Sequence, residues 1–147
     1  MTIEDLWAIG IDLGGTKIQI AQVDAGGRVA GRRRLSTNVK SGPKIIEEEI
    51  IEAVKEMKDN AGSQPVGLGI GVAGQIDQHD GIVLFAPNLG WRDISLRNDL
   101  NQALSMPVVI TNDVRAATWG EWLHGAGQDV LQAGLQLLST GIVSTFD

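Results

Sequence analysis

The sequence predicts an α/β domain with a mixed sheet, and three observations carry that prediction. Residues 6–36 hold short apolar runs with a two-residue period, separated by glycine turns. Near residue 43 the period changes to 3.6. Beyond that point strand-like and helix-like segments alternate. The first apolar run, 6–11, stops at Asp12-Leu13-Gly14-Gly15-Thr16-Lys17. In 18–23, Ile18, Ile20 and Val23 interleave with Gln19 and Gln22, as in a half-buried strand. Asp24-Ala25-Gly26-Gly27 is a turn signal, and 28–36 reads as a third strand. The expected opening is a three-stranded antiparallel meander, with a buried strand at 66–73 parallel to it.

Ser41-Gly42-Pro43 suits a helix start, because proline is tolerated at the first helical position. Ile46, Ile50, Val54 and Met57 then form an apolar stripe, and Gly62 is the expected stop. Glu47, Glu48 and Glu49 lie toward the N-terminal end and Lys55 and Lys58 toward the other, both favourable to the macrodipole. The acidic triplet is expected to face water. Residues 66–73 (VGLGIGVA) read as a strand covered on both faces. A short strand at 82–85 follows the turn Gln78-His79-Asp80-Gly81. A second helix starting near Asp93 or Ser95 should bury Leu96, Leu100, Ala103 and Leu104. Pro107 introduces a strand at 108–111 with Asn112-Asp113 at its end, and a third helix at 114–123 should bury Trp119 and Trp122.

Composition narrows the function. Twelve Lys and Arg against eighteen Asp and Glu leave a net charge of −6, which argues against a duplex-DNA partner needing a basic face. The absence of cysteine excludes disulfides, thiol nucleophiles and Cys-ligated zinc. No apolar run reaches transmembrane length, and Glu4 and Asp5 stand where a signal peptide carries bases, so a cytoplasmic chain without a membrane partner is expected. The 19 glycines cluster at the ends of apolar runs, as tight turns or ligand-facing loops require.

Three places could carry chemistry. The turn Asp12–Lys17 lies between two strands, so it is neither a P-loop nor a Rossmann fingerprint. Gly14 and Gly15 would let backbone N–H groups approach phosphate oxygens, and Thr16 and Lys17 add a hydroxyl and a positive charge. Asp12 could hold water around Mg²⁺. The competing reading is a plain hairpin turn that needs glycine for positive φ. Asn112-Asp113 ends a strand, where open α/β sheets place ligands. Asp113 could accept a proton from a substrate hydroxyl, although Asn or Asp there also suits a helix cap. Gln75 and Asn88, on loops after the buried strand, could bind sugar hydroxyls. Trp91 could pack on a sugar face, but core packing under a loop is the better reading, because an aromatic side chain supplies a large buried area. Neither His79 nor His124 belongs to a ligand cluster, no metal ligand set is found, and Arg32-Arg33-Arg34 reads as a solvated edge.

The order of these motifs resembles the ROK family (repressors, open reading frames, kinases). The resemblance rests on Ile9-Gly10-Ile11-Asp12-Leu13-Gly14-Gly15-Thr16-Lys17, then Gly69-Ile70-Gly71-Val72-Ala73-Gly74, then Pro87-Asn88-Leu89-Gly90-Trp91. Asn112-Asp113 with Ala116-Ala117 and Gly120-Glu121 completes it. It covers residues 7–127 and is nearest to the glucokinase-like members. It implies an actin-like ATPase (ribonuclease H-like) fold, of which this chain would be the first half. By the family's pattern, Asp12, Gly14, Gly15, Thr16 and Lys17 would bind ATP phosphates. Gly74, Asn88, Asn112 and, more weakly, Gln75 would bind the sugar, and Asp113 would be the catalytic base. ATP and Mg²⁺ are the implied cofactors, and a hexose such as glucose or an N-acetylated amino sugar is the implied partner. A homo-oligomer is expected from the apolar surface that half a cleft would expose.

Residues 128–147 (QDVLQAGLQLLSTGIVSTFD) depart from the pattern. The expected division is a ROK N-terminal domain at 1–127 and a divergent tail at 128–147, either the start of a C-terminal domain or sequence outside the family frame. A truncated or frame-disrupted kinase gene would account for it. Two alternatives stay open: a non-catalytic sugar-binding or interaction module, and a sugar-responsive repressor. The second would carry a helix-turn-helix, and only six residues precede Trp7.

Overall fold

The computed structural model describes residues 5–113. The expected helix at 114–123 with Trp119 and Trp122, His124, and the 128–147 tail lie outside these residues. The chain opens with the meander, β1 (Trp7–Leu13), β2 (Lys17–Asp24) and β3 (Val29–Ser36). Its alternation follows the sequence: Trp7, Ile9, Ile11 and Leu13 are all buried, as are Ile18 and Ile20. The turn after β2 is held by the Asp24 carboxylate, which accepts from the amides of Gly26 (2.9 Å) and Arg28 (2.8 Å). Gly27 supplies the left-handed residue there, at φ 83°.

A 3-10 turn at Val39–Ser41 leads into α1 (Pro43–Ala61), which ends at Gly62 in the left-handed conformation. Five more strands and one helix follow: β4 (Leu68–Val72), β5 (Gln75–Asp77), β6 (Ile82–Ala86), β7 (Trp91–Ile94), α2 (Leu96–Leu104), then β8 (Val108–Asn112). The main sheet has the order β3-β2-β1-β4-β8, with β4 parallel to β1 and to β8. A second, three-stranded antiparallel sheet runs β5-β6-β7. α1 and α2 pack on each other and share one core with the sheet. Each fully buried Leu or Ile there stabilises the fold by about 1.5–3 kcal/mol. No helix among the described residues is long and apolar enough to cross a membrane.

Several expectations are corrected. β4 is shorter than 66–73, and among the described residues its second face is covered only in part, with Gly71 buried and Gly69 exposed. Among the described residues, neither Gly69 nor its neighbour Gly10 has an atom within 4 Å of where a Cβ would stand. Gly10, on the adjoining strand, belongs to an open face shared with Asp12, Gln19, Arg32 and Arg34. In α2, Leu96, Leu100 and Leu104 are buried but Ala103 is exposed, because the stripe advances in steps of four and leaves position 103 outside it. β3 is an edge strand, yet Arg33 is tied down by an ion pair with Glu56 on α1.

The acidic triplet does not all face water. Glu48 is exposed, but Glu47 is 4% exposed and no acid lies in the first turn of α1. Burial, then the neighbouring charge of Asp99 on α2 and a hydrogen bond to it, push the Glu47 carboxyl up to about 7. Lys44 opposes this shift and Glu48 adds to it.

Candidate active site

The register of the main sheet sets the site. Leu13, Val72 and Asn112 stand in one row across β1, β4 and β8, so three parallel strands end at the same level. From that edge the chain passes into the turn 14–16, into Ala73-Gly74 and into Asp113. Carboxyl strand ends are where open α/β sheets hold ligands.

The glycine turn is braced from within. The Gly14 amide donates to the Lys17 carbonyl (3.0 Å) and the Thr37 hydroxyl donates to the Gly14 carbonyl (2.7 Å). The Thr37 amide donates to the Thr16 carbonyl (2.9 Å). Thr16 and Lys17 face solvent. Neither Gly14 nor Gly15 has positive φ, so the plain-hairpin reason for glycine does not hold. The reason at Gly15 is a neighbour. A Cβ there would stand 2.7 Å from the Asn88 carbonyl oxygen and 2.9 Å from the Asn88 Cβ.

Gly74 is held just as closely. Its Cβ would meet the Phe85 carbonyl and come within 3.0 Å of the Ala86 Cα. Its own carbonyl accepts from the Asn112 side-chain amide (2.8 Å). The structure thus brings Gly15 to Asn88 and Gly74 to Asn112, with Asp113 next in the chain and half-buried. Asn88 itself is exposed. Gln75 is exposed on β5 opposite Phe85, one residue from Gly74. Asp12 stands one residue back from the edge, on the open face, in a row with Gln19, Gly71 and Thr111.

Trp91 is a core residue rather than a sugar-stacking one. It is 1% exposed, and its indole N–H has no hydrogen-bond partner among the described residues. Four residues that touch this region carried no sequence signal: Thr37, Gln78, Arg97 and Thr111. Each acts through a contact across at least 18 positions, which no local pattern reveals.

Among the described residues no three His, Asp or Glu side chains cluster as a metal-ligand set. Asp12 is a single carboxylate beside an anion-compatible turn. One carboxylate suffices for Mg²⁺ held largely by water and phosphate oxygens. The exposed Thr16 hydroxyl and Lys17 ammonium fit phosphate oxygens, so the residues present are compatible with a magnesium nucleotide.

The chain is 32% identical over 143 residues to a glucokinase of Halalkalibacterium halodurans, covering 95% of this chain and 43% of that protein. It is 31% identical to the xylose repressor of Bacillus subtilis, covering 92% and 36% respectively. Its fold superposes with a TM-score of 0.76 on a ROK family glucokinase from Streptomyces griseus, solved in complex with glucose and AMPPNP. That match is 39% identical and covers 82% of this chain and 38% of the other. The chain therefore spans about two fifths of the length of the curated relatives it matches first. The sheet order and its neighbours are those of the actin-like ATPase fold. Residues 8–144 match the ROK family, and the chain belongs to it.

Proposed function

We propose that this chain forms one wall of the cleft of an ATP-dependent hexose kinase, glucokinase-like in its acceptor. The observation that carries the reading is the common strand edge, where the 14–17 turn, Gly74 and Asn112-Asp113 emerge together with Asn88 against Gly15. Asn88 and Asn112 would hold sugar hydroxyls, with the Gly74 backbone close by and Gln75 at the margin. Asp113 would accept the proton of the attacking hydroxyl. The Gly15 and Thr16 amides, the Thr16 hydroxyl and Lys17 would cradle phosphate oxygens, with Asp12 toward the water shell of Mg²⁺. Bound Mg-ATP would supply the phosphoryl group. Positioning and charge stabilisation by the protein do most of the remaining work in such a transfer. Residues 1–127 would be the family's N-terminal domain and 128–147 a divergent tail.

Glucose titrated into the isotope-labelled chain tests this. The amides of Gly74, Asn88 and Asn112 should shift together, and Asn88→Ala or Asn112→Ala should abolish the response. A response confined to other residues would overturn the sugar site.

The similarity to the xylose repressor favours a second reading, a sugar sensor without catalysis. A sensor needs the sugar contacts but neither the phosphate turn nor a base. Lys17→Ala separates the two: it should weaken nucleotide binding in a kinase and change nothing measurable in a sensor.

A further inference from the structure

The three-stranded sheet carries Gln75 on β5 and Asn88 just past β6, so its seating on the main sheet decides where these residues stand. One tie is the Asn112–Gly74 bond. A second lies further along. The Gln78 side-chain amide donates to the Thr111 hydroxyl (2.7 Å), part-buried and across 33 positions. Thr111 immediately precedes Asn112 on β8 and shares a sheet row with Asp12. A third tie comes from α2. The Arg97 guanidinium donates one N–H to the Gln78 carbonyl (3.1 Å) and another to the His79 carbonyl (2.9 Å), and the Arg97 amide donates to the Gly81 carbonyl (3.1 Å). Gly81 is buried at φ 70°, and a Cβ there would collide with the Arg97 side chain. The turn between β5 and β6 is therefore clamped between α2 and the end of β8.

We propose that Gln78 and Arg97 are positioning residues that brace the acceptor-carrying sheet against β8 through Thr111, setting Asn88 relative to Asn112-Asp113. This rests on the sugar-site reading above. The brace is neutral hydrogen bonding and one guanidinium fork on backbone carbonyls, so a conservative change that breaks the fork should be felt. Its effect should reach the Asn88 loop, whose own turn is held by Leu89 N–H to Ala86 and Gly90 N–H to Pro87.

The test uses the whole chain, isotope-labelled, as wild type, Thr111→Val, Thr111→Ser, Arg97→Lys and Asn88→Ala. Hydrogen exchange of the Leu89 and Gly90 amides is read without sugar, and the glucose dissociation constant and urea stability are read beside it. Thr111→Val and Arg97→Lys should speed exchange at both amides and raise the glucose dissociation constant, each about five-fold, the size expected of one hydrogen bond. Thr111→Ser keeps the hydroxyl and should restore both readouts. Wild-type exchange in Thr111→Val, or a serine variant as impaired as the valine one, overturns the brace. If Asn88→Ala weakens glucose and Thr111→Val does not, the brace fails and the sugar site survives. If no variant changes glucose affinity while exchange at Leu89 and Gly90 still accelerates, the sugar site fails and the brace stands.

Discussion

Replacing Glu47 by Gln should make the protein more stable at pH 8 and no different at pH 4. Glu47 is buried where α1 meets α2, facing Asp99, with Lys44 and Glu48 beside it on its own helix. Its carboxyl is raised from 4.5 to about 7, by burial first and Asp99 second. The folded protein therefore binds a proton that unfolding releases between those values. The stability from that proton is fully present below pH 4.5 and is lost as pH rises through 7. At about 1.36 kcal/mol per pH unit the upper limit is about 3 kcal/mol. Gln keeps the size and offers an N–H to Asp99 at every pH. Urea unfolding of wild type and Glu47→Gln at pH 4, 5, 6, 7 and 8 reads the difference between the two profiles, so other titrating groups cancel. The profiles should coincide at pH 4 and diverge by up to about 3 kcal/mol by pH 8. Parallel profiles, or a glutamine variant less stable at pH 8, would refute the buried-carboxyl argument.

Three further outcomes are expected. In a polypeptide that also carries the remaining length of the ROK relatives, Asp113→Asn should cut hexose-dependent ATP turnover by about 10²- to 10⁴-fold with sugar binding retained, and near-wild-type turnover would remove Asp113 as the base. Gly15→Ala and Gly74→Ala each force backbone apart at the joint between the two sheets, and each should lower stability by about 1–3 kcal/mol in thermal melts. Trp91→Phe deletes an indole N–H that has no partner among the described residues, at the cost of a small void, so stability should change by less than about 1.5 kcal/mol and glucose affinity not at all. A tenfold loss of affinity there would mean that Trp91 touches the sugar.

The legible parts of this fold were those whose cause is local. β1 to β3 show in the alternation of Ile18, Ile20 and their neighbours, and α1 shows in Pro43 and Gly62, because period and punctuation act over a few residues. β5 and β7 were not legible. At three and four residues they are too short for a period, and their pairing with β6 is set across a turn and a loop. Glu47 was misread for a related reason: a helix face rich in acids looks solvated until a second helix, fifty residues on, covers one of them.

The site shows the same division in a more useful form. Gly14-Gly15 and Gly74 stand out in the sequence, and a glycine can be needed for positive φ, for ligand approach or for backbone approach. The structure assigns Gly15 and Gly74 to the third cause, since each meets the chain between β6 and β7 or the strand before it. That has a consequence for the proposed chemistry. The turn that would hold phosphate and the loop that would hold the sugar approach so closely at Gly15 and Asn88 that a Cβ on Gly15 would overlap the Asn88 backbone. In-line transfer requires donor and acceptor to be aligned within fractions of an ångström. In the proposed site, the close approach of Gly15 to the Asn88 backbone would align their two supports without a long side chain whose rotamer could slip.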